Sequence, residues 1–351
     1  MSLLECVKAK GTPLINGNRV TFLWEGPTQP QLLGDFNYWL MDKKPIDFEQ
    51  VSEDQWQTTI TLPLDAYIEY GFIVDGERTY DPLNPNRFDD NMGHINSVFW
   101  MPQAHDNPLA IEQADVPRGQ ITTHVIDGKS YIVGASRTLH LYRPAINEPT
   151  PLLIVFDGSG YLHHARIATI VDNLITQKRI RPISLALLDP GGDGRVVEYA
   201  SSDATVGFLI YCVLPFAREH LHLVDTQKSP GAFGMMGASM GGLMSLYTAL
   251  RAPEIFGHVL SQSGAFRGEH LYYRSVTHDL LEYTPTKDIK IWMDAGIHEW
   301  FIDGNREMNA LLQKRGYDVI YSEHNSGHNY PSWRNSLWRG LEHLFPLISA
   351  V

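Results

Sequence analysis

Hydrophobic and polar positions follow two different rules along this chain. Over residues 19–101 short apolar runs, "RVTFLWEG", "QLLGDFN", "WQTTITLPL", "AYIEYGFIVDG" and "HINSVFWMP", are separated by turn signals. Strand-like runs spaced about 8–12 residues apart predict a small antiparallel sandwich of immunoglobulin-like type. "DPLNPNRFDDNMG", rich in Asp, Asn and Pro, reads as a loop, and "MPQAHDNPLAIEQADVPRGQ" (101–120) as a connector. From about residue 121 the runs lengthen. "PLLIVFDG", "ISLALLD", "GAFGMMG", "HVLSQSG", "IKIWMDAG" and "YDVIYSEH" suit strands buried on both faces. Between them lie helix-like stretches, "ARIATIVDNLITQK", "SLYTALRAP", "GNREMNALLQKRG" and "SWRNSLWRGLEHLF", and "TVGFLIYCVLPFAREHL", which Pro215 should kink or break. Regular alternation of strand and helix predicts an α/β domain, a mostly parallel sheet covered on both faces. The expected division is a sandwich over 1–104, a linker over 105–120 and the α/β domain over 121–351.

Composition narrows the partners. A net charge of −12 disfavours nucleic acid and anionic membranes, both of which ask for basic surface. Cys6 and Cys212 are the two cysteines, too few for a disulfide framework or a cysteine-rich zinc site. The start "MSLLECVKAK" lacks a basic segment followed by a sustained apolar one, and no run approaches the roughly 20 apolar residues of a membrane span. A cytoplasmic, soluble protein is the expectation.

The chemistry centres on Gly237-Ala238-Ser239-Met240-Gly241, which fits G-x-S-x-G between a strand and a helix. In that setting the serine sits on a sharp turn that excludes neighbouring side chains and presents Oγ above the sheet edge. The bland reading is a glycine-rich turn that happens to hold a serine. A serine hydroxyl needs a positioned base, and the order in α/β-hydrolases is Ser, acid, His. His328, in "EHNSGHNYPSW" after a strand and before the last helix, is the candidate base, with His324 its rival; His343 falls within a helix. For the acid, Asp294 lies inside a strand, and spacing leaves Glu299 and Asp303 both open, with Asp303 also suited to cap a helix. Oxyanion donors are expected from the Met240 N–H and from the turn after "LLIVFDG", at Gly158 or Ser159.

These segments, "DPLNP", "FDG", "GASMGGLMSLYTALRAPEIFGHVLSQSGAF", "DAGIHEW" and "GHNYPSWRNSLWRGL", together resemble the enterochelin (enterobactin) esterase family. "QLLGDFNYW" with "YIEYGFIVDG" also resembles the glycogen-binding-module-like sandwiches that precede such esterases. The resemblance implies an α/β-hydrolase domain after an N-terminal sandwich, with Ser239 as nucleophile, Glu299 as acid and His328 as base. It implies no cofactor and no metal. The loops depart from the family: Ala265-Phe266-Arg267-Gly268 stands where the family tends to carry bulky aromatics, and Ser159-Gly160-Tyr161 follows "FDG". Substrate contacts are expected from Arg195, Arg267 and Trp300. Trp56 reads as core and Trp39 as either core or a face for a sugar ring.

The expected function is a serine carboxylic-ester hydrolase working through an acyl-enzyme on a small-molecule ester, a siderophore trilactone by resemblance. The alternatives are a feruloyl or acetyl esterase on acylated sugars, an acyltransferase, and a non-catalytic carbohydrate-binding protein. A homodimer is compatible with the sequence.

Overall fold

The computed structural model describes residues 11–41, 43–89, 93–128, 136–191, 194–267 and 275–347; Cys6 and Gly268 lie outside them. They form two compact units, one of residues up to 105 with 296–300 and 323–332, the other of 106–295, 301–322 and 333 onwards.

The first unit holds two antiparallel sheets. Strands β1 (Leu14–Asn16), β2 (Arg19–Glu25), β5 (Glu49–Ser52) and β6 (Gln55–Thr61) form one, in the order β1-β2-β6-β5. The other orders β4 (Ile46–Asp47), β3 (Gln31–Gly34), β7 (Tyr67–Val74), β10 (Ile95–Trp100) and β9 (Arg87–Asp89), with β8 (Glu77–Thr79) also on β7. Period-2 patterning turns Val20 and Phe22 of β2 onto Leu32, Ile68, Tyr70, Phe72 and Phe99. Phe22 meets Tyr70 edge-on at 4.9 Å. Trp56 packs against this core and gives its indole N–H to the Gly26 carbonyl. Trp39 uses its N–H on Asp35 and one ring face under the Arg78 guanidinium. Asp81 and Asn84 of "DPLNP" are buried: Asp81 accepts from Tyr70 Oη at 2.7 Å, and Asn84 donates to that hydroxyl and to the Val98 carbonyl. That motif is therefore a structural corner. Strand β7 is buried on both faces for six residues, because residues 323–332 belong to the same unit and Asn325 accepts from the Tyr67 N–H.

The second unit is built on an eight-stranded sheet ordered β11-β12-β14-β13-β15-β16-β17-β18. These are β11 (Gln120–Asp127), β12 (Ser136–Arg143), β13 (Leu152–Phe156), β14 (Ser184–Leu188), β15 (Phe233–Ala238), β16 (Phe256–Gln262), β17 (Lys290–Gly296) and β18 (Asp318–His324). Pairing is parallel from β14 through β17, and antiparallel at β11–β12 and β12–β14. The antiparallel pair was not legible in the pattern, since all but two residues of β11 are exposed and give no apolar run. Strands β13, β14 and β15 are buried at every position, which is why they read as continuous apolar runs. Helices α1 (Gly158–His163), α2 (Ile167–Thr176), α3 (Arg195–Tyr199), α4 (Asp203–Phe208), α5 (Leu214–His220), α6 (Met240–Arg251), α7 (Val276–Tyr283), α8 (Ile302–Lys314) and α9 (Tyr330–Leu344) accompany the sheet.

Pro215 does not end its stretch. The chain stays helical from α4 through a π-helical turn over Leu209–Val213 into α5, and that widened turn accommodates the proline's missing N–H. The expected linker is packed as well. Asn107 caps the short turn Pro108–Ala110, Leu109 and Ala110 are buried, and Asn173 of α2 donates to the carbonyls of Leu109 and Ile111. Among the described residues, no helix is long and apolar enough to cross a membrane.

Candidate active site

Strand β15 delivers the chain to Ser239 with φ 58° and ψ −125°, and α6 begins at the next residue. A non-glycine residue in that region costs on the order of 1–3 kcal/mol and persists only where its surroundings hold it. Here they do. The Ser239 N–H donates to the Gln262 carbonyl at 2.9 Å, and its own carbonyl accepts from Leu243 and Ala265 at 3.1 and 3.0 Å. The flanking glycines explain themselves by distance: a Cβ on Gly237 would lie 2.6 Å from the Gly241 carbonyl carbon, and one on Gly242 2.6 Å from Ser261 Oγ. Ser239 and Met240 are both partly exposed. Met240 is the first residue of α6, where helix N–H groups have no partner within the helix.

The second oxyanion candidate, the turn after β13, divides in two. Asp157 is left-handed at φ 55°, and Gly158 opens α1 with no room for a side chain, its Cβ position lying 2.4 Å from the Leu187 carbonyl carbon. Ser159 departs from expectation. Its N–H and Oγ both donate to Asp189, each at 2.6 Å, so that amide is already committed. His140 Nε2 is 3.0 Å from Ser159 Oγ, and Thr123 Oγ1 is 2.9 Å from His140 Nδ1. Because Ser159 gives its only hydroxyl proton to a carboxylate, His140 must donate from Nε2 and accept at Nδ1. Burial pushes this imidazole down from its ordinary pKa, with Asp189 acting in the opposite direction, which keeps that neutral tautomer. Asp189, the first residue after β14, could have been noticed as a carboxylate closing a buried apolar run; sequence reasoning passed over it and His140.

The candidate substrate residues are otherwise engaged. Arg195 forks onto Asp157, Nε to Oδ1 and Nη2 to Oδ2, both at 2.7 Å. Arg267 makes an exposed ion pair with Glu307. Trp300 lies against the His328 ring, centroids 4.8 Å apart and tilted by 41°.

In the first unit, His328 Nδ1 is 3.3 Å from Glu299 Oε2, with Glu299 0% and His328 12% exposed. Backbone bonds stitch their loops together, Ile297 N–H to the His324 carbonyl and His298 N–H to the Ser326 carbonyl. Gly296 permits this closeness, since a Cβ there would fall 2.1 Å from the Ser326 carbonyl oxygen. The rivals are placed elsewhere. Asp303 is 84% exposed in the first turn of α8, paired with Arg306. Asp294 is buried and accepts from Trp292 Nε1 and Gln262 Nε2. His324 Nδ1 pairs with Ser326 Oγ, and the His343 ring lies 6.2 Å from that of Trp292.

Residues 130–344, more than half of the chain and including Ser239, Glu299 and His328, match the family model described as "Putative esterase". The chain belongs to this esterase family. Among individual relatives of this esterase, the iron(III) enterobactin esterase of Escherichia coli K12 is 26% identical over 270 residues. That stretch covers 74% of this chain but just under two thirds, 66%, of the relative. Enterochelin esterase from Shigella flexneri superposes with a TM-score of 0.77 at 21% identity, covering 98% of this chain and 97% of the other. A ferulic acid esterase from the anaerobic fungus Anaeromyces mucronatus reaches a TM-score of 0.55 at 16% identity over 68% of this chain and 95% of its own. These likenesses show an α/β-hydrolase-like fold for the esterase.

Proposed function

We propose that this chain is a serine carboxylic-ester hydrolase acting through an acyl-enzyme. The observation that carries the reading is the left-handed, glycine-flanked Ser239 between a wholly buried strand and a helix. In the proposed sequence Ser239 Oγ attacks the ester carbonyl and His328 Nε2 takes its proton. Glu299, hydrogen-bonded to His328 Nδ1, fixes the tautomer and offsets the charge of the imidazolium. The N–H groups of Met240 and Gly158 receive the developing oxyanion. His328 then protonates the departing alcohol, and a water, deprotonated by the same imidazole, releases the acid.

The 26% identity to an iron(III) enterobactin esterase supports a siderophore lactone as the substrate. The two candidate arginines do not add to that support, because Asp157 and Glu307 hold them. The test is a fluorophosphonate probe with peptide mapping, alongside a panel of enterobactin, a feruloyl sugar and short p-nitrophenyl esters. Adduct at Ser239 with turnover of enterobactin is expected; no adduct and no turnover of any ester would overturn the reading.

Asp189 provides a separate check on the oxyanion turn. Asp189→Ala removes the acceptor that holds both polar groups of Ser159. A turn loosened by this much should lower kcat roughly 10–100-fold. Steady-state kinetics on p-nitrophenyl acetate should show the loss in kcat, with KM little changed.

A further inference from the structure

Asp35, in "GDFN" directly after β3, opens the short helical turn Asp35–Leu40 and is 1% exposed. Three N–H donors converge on its two oxygens: Trp39 Nε1 on Oδ1 at 2.8 Å, and on Oδ2 the Glu69 backbone at 2.8 Å and Asn329 Nδ2 at 3.4 Å. The Asn329 amide has one sensible orientation, since its Oδ1 accepts from both the N–H and the Oγ of Ser332 at the start of α9. Its Nδ2 therefore faces Asp35. On the other side of His328, Gly327 approaches so closely that a Cβ there would lie 2.1 Å from Asp35 Cγ and Oδ1. Both neighbours of His328 thus rest on a single carboxyl group from the other end of the sequence.

We propose that Asp35 is a positioning residue for ester hydrolysis, its carboxylate seating Gly327 and Asn329 so that the His328 imidazole is held against Glu299. This rests on the reading of Ser239, His328 and Glu299 as the reacting groups. The plainer role, closing the turn through Trp39, does not account for the choice of residue. Burying a carboxylate is costly unless it is well paired, and an asparagine offers one acceptor oxygen, not two, to the three donors. Two charges act on Asp35 besides burial, Glu299 from the acid loop and Arg78 from β8. Burial, aided by Glu299, raises its pKa to about 7, against the donors and Arg78. Glu69 contributes its backbone N–H, while its own carboxylate is held by Tyr67 and Asn96. The ionised carboxyl has acceptor lone pairs on both oxygens for all three donors.

The experiment compares wild type, Asp35→Asn and Trp39→Phe by kcat and KM across pH 5–9. It also follows the downfield Nδ1 proton of His328 by NMR, assigned by its loss in His328→Ala. Asp35→Asn should lower kcat roughly 10–100-fold with KM little changed, and weaken or shift the His328 proton signal. Trp39→Phe removes one of the three donors to the Asp35 carboxyl, so kcat should fall and the His328 proton signal should shift in the same sense as in Asp35→Asn. This second variant keeps the test open if Asp35→Asn fails to fold. A folded Asp35→Asn with wild-type kcat and an unmoved imidazole proton, or a Trp39→Phe with both unchanged, would overturn the proposal. Ser239→Ala runs alongside: if it retains turnover, the esterase reading itself fails. If it is inactive while Asp35→Asn behaves as wild type, only the role of Asp35 is lost.

Discussion

Ser239→Ala is expected to lower kcat/KM for the best ester by about 10⁴–10⁶-fold, the scale on which serine hydrolases lose rate when the nucleophile is removed. The size follows from the chemistry. Without Oγ there is no acyl-enzyme, and only the oxyanion donors and substrate binding remain to assist direct attack by water. The fold should be untouched, because the residue is held by its backbone N–H to Gln262 and by two bonds into its carbonyl, all of which alanine keeps. Alanine is also no worse than serine at φ 58°. The measurement is paired: full progress curves on the ester, and thermal unfolding, which should coincide with wild type. Loss of folding together with loss of activity would leave the assignment of the nucleophile without support.

Gly237→Ala should also lower the rate, by about 10²-fold and by a different route. The added methyl would meet backbone, the carbonyl carbon, oxygen and Cα of Gly241 at 2.6–2.9 Å. None of these can rotate away as a side chain would. Either β15 or the first turn of α6 must shift, and β15 and Gly241–Leu243 of that turn are buried. Overpacking of this kind costs about 1–3 kcal/mol, and displacing a reacting group by about 1 Å costs about 10²-fold in rate. Kinetics and denaturant unfolding together should show both effects, a lower midpoint and a kcat reduced by about two orders of magnitude. Unchanged kcat with reduced stability would mean that the elbow tolerates the shift and that its geometry is less restrictive than the distances imply.

What could be read in advance depended on how far apart in the chain the interacting residues lie. The elbow is encoded within a few residues, a strand, three small residues around Ser239 and a helix, and the backbone takes that form for local steric reasons. His328 was proposed as base from its place between a strand and the last helix. Spacing did not separate the two candidate acids, since Glu299 and Asp303 share one loop region. They differ in that one is buried against His328 while the other is exposed in the first turn of α8. Ser159 looked as suitable as Gly158 for the oxyanion until Asp189, 30 residues away, was seen to hold its amide. Arg195 and Arg267 looked like candidate anion ligands for the same reason, their carboxylate partners being 38 and 40 residues distant.

The sequence by itself determined the strand–helix alternation, the antiparallel character of the first hundred residues and the identity of the serine on its turn. These follow from hydrophobic periodicity and from glycine's lack of a side chain, both short-range properties of the chain. Only the tertiary structure decided which carboxylate meets His328, that Asp189 holds the Ser159 amide, and that Asp35 meets Asn329 across 294 residues of sequence. Those outcomes depend on burial and on the pairing of polar groups between distant segments, where a buried donor or acceptor must find whichever partner the packing brings to it.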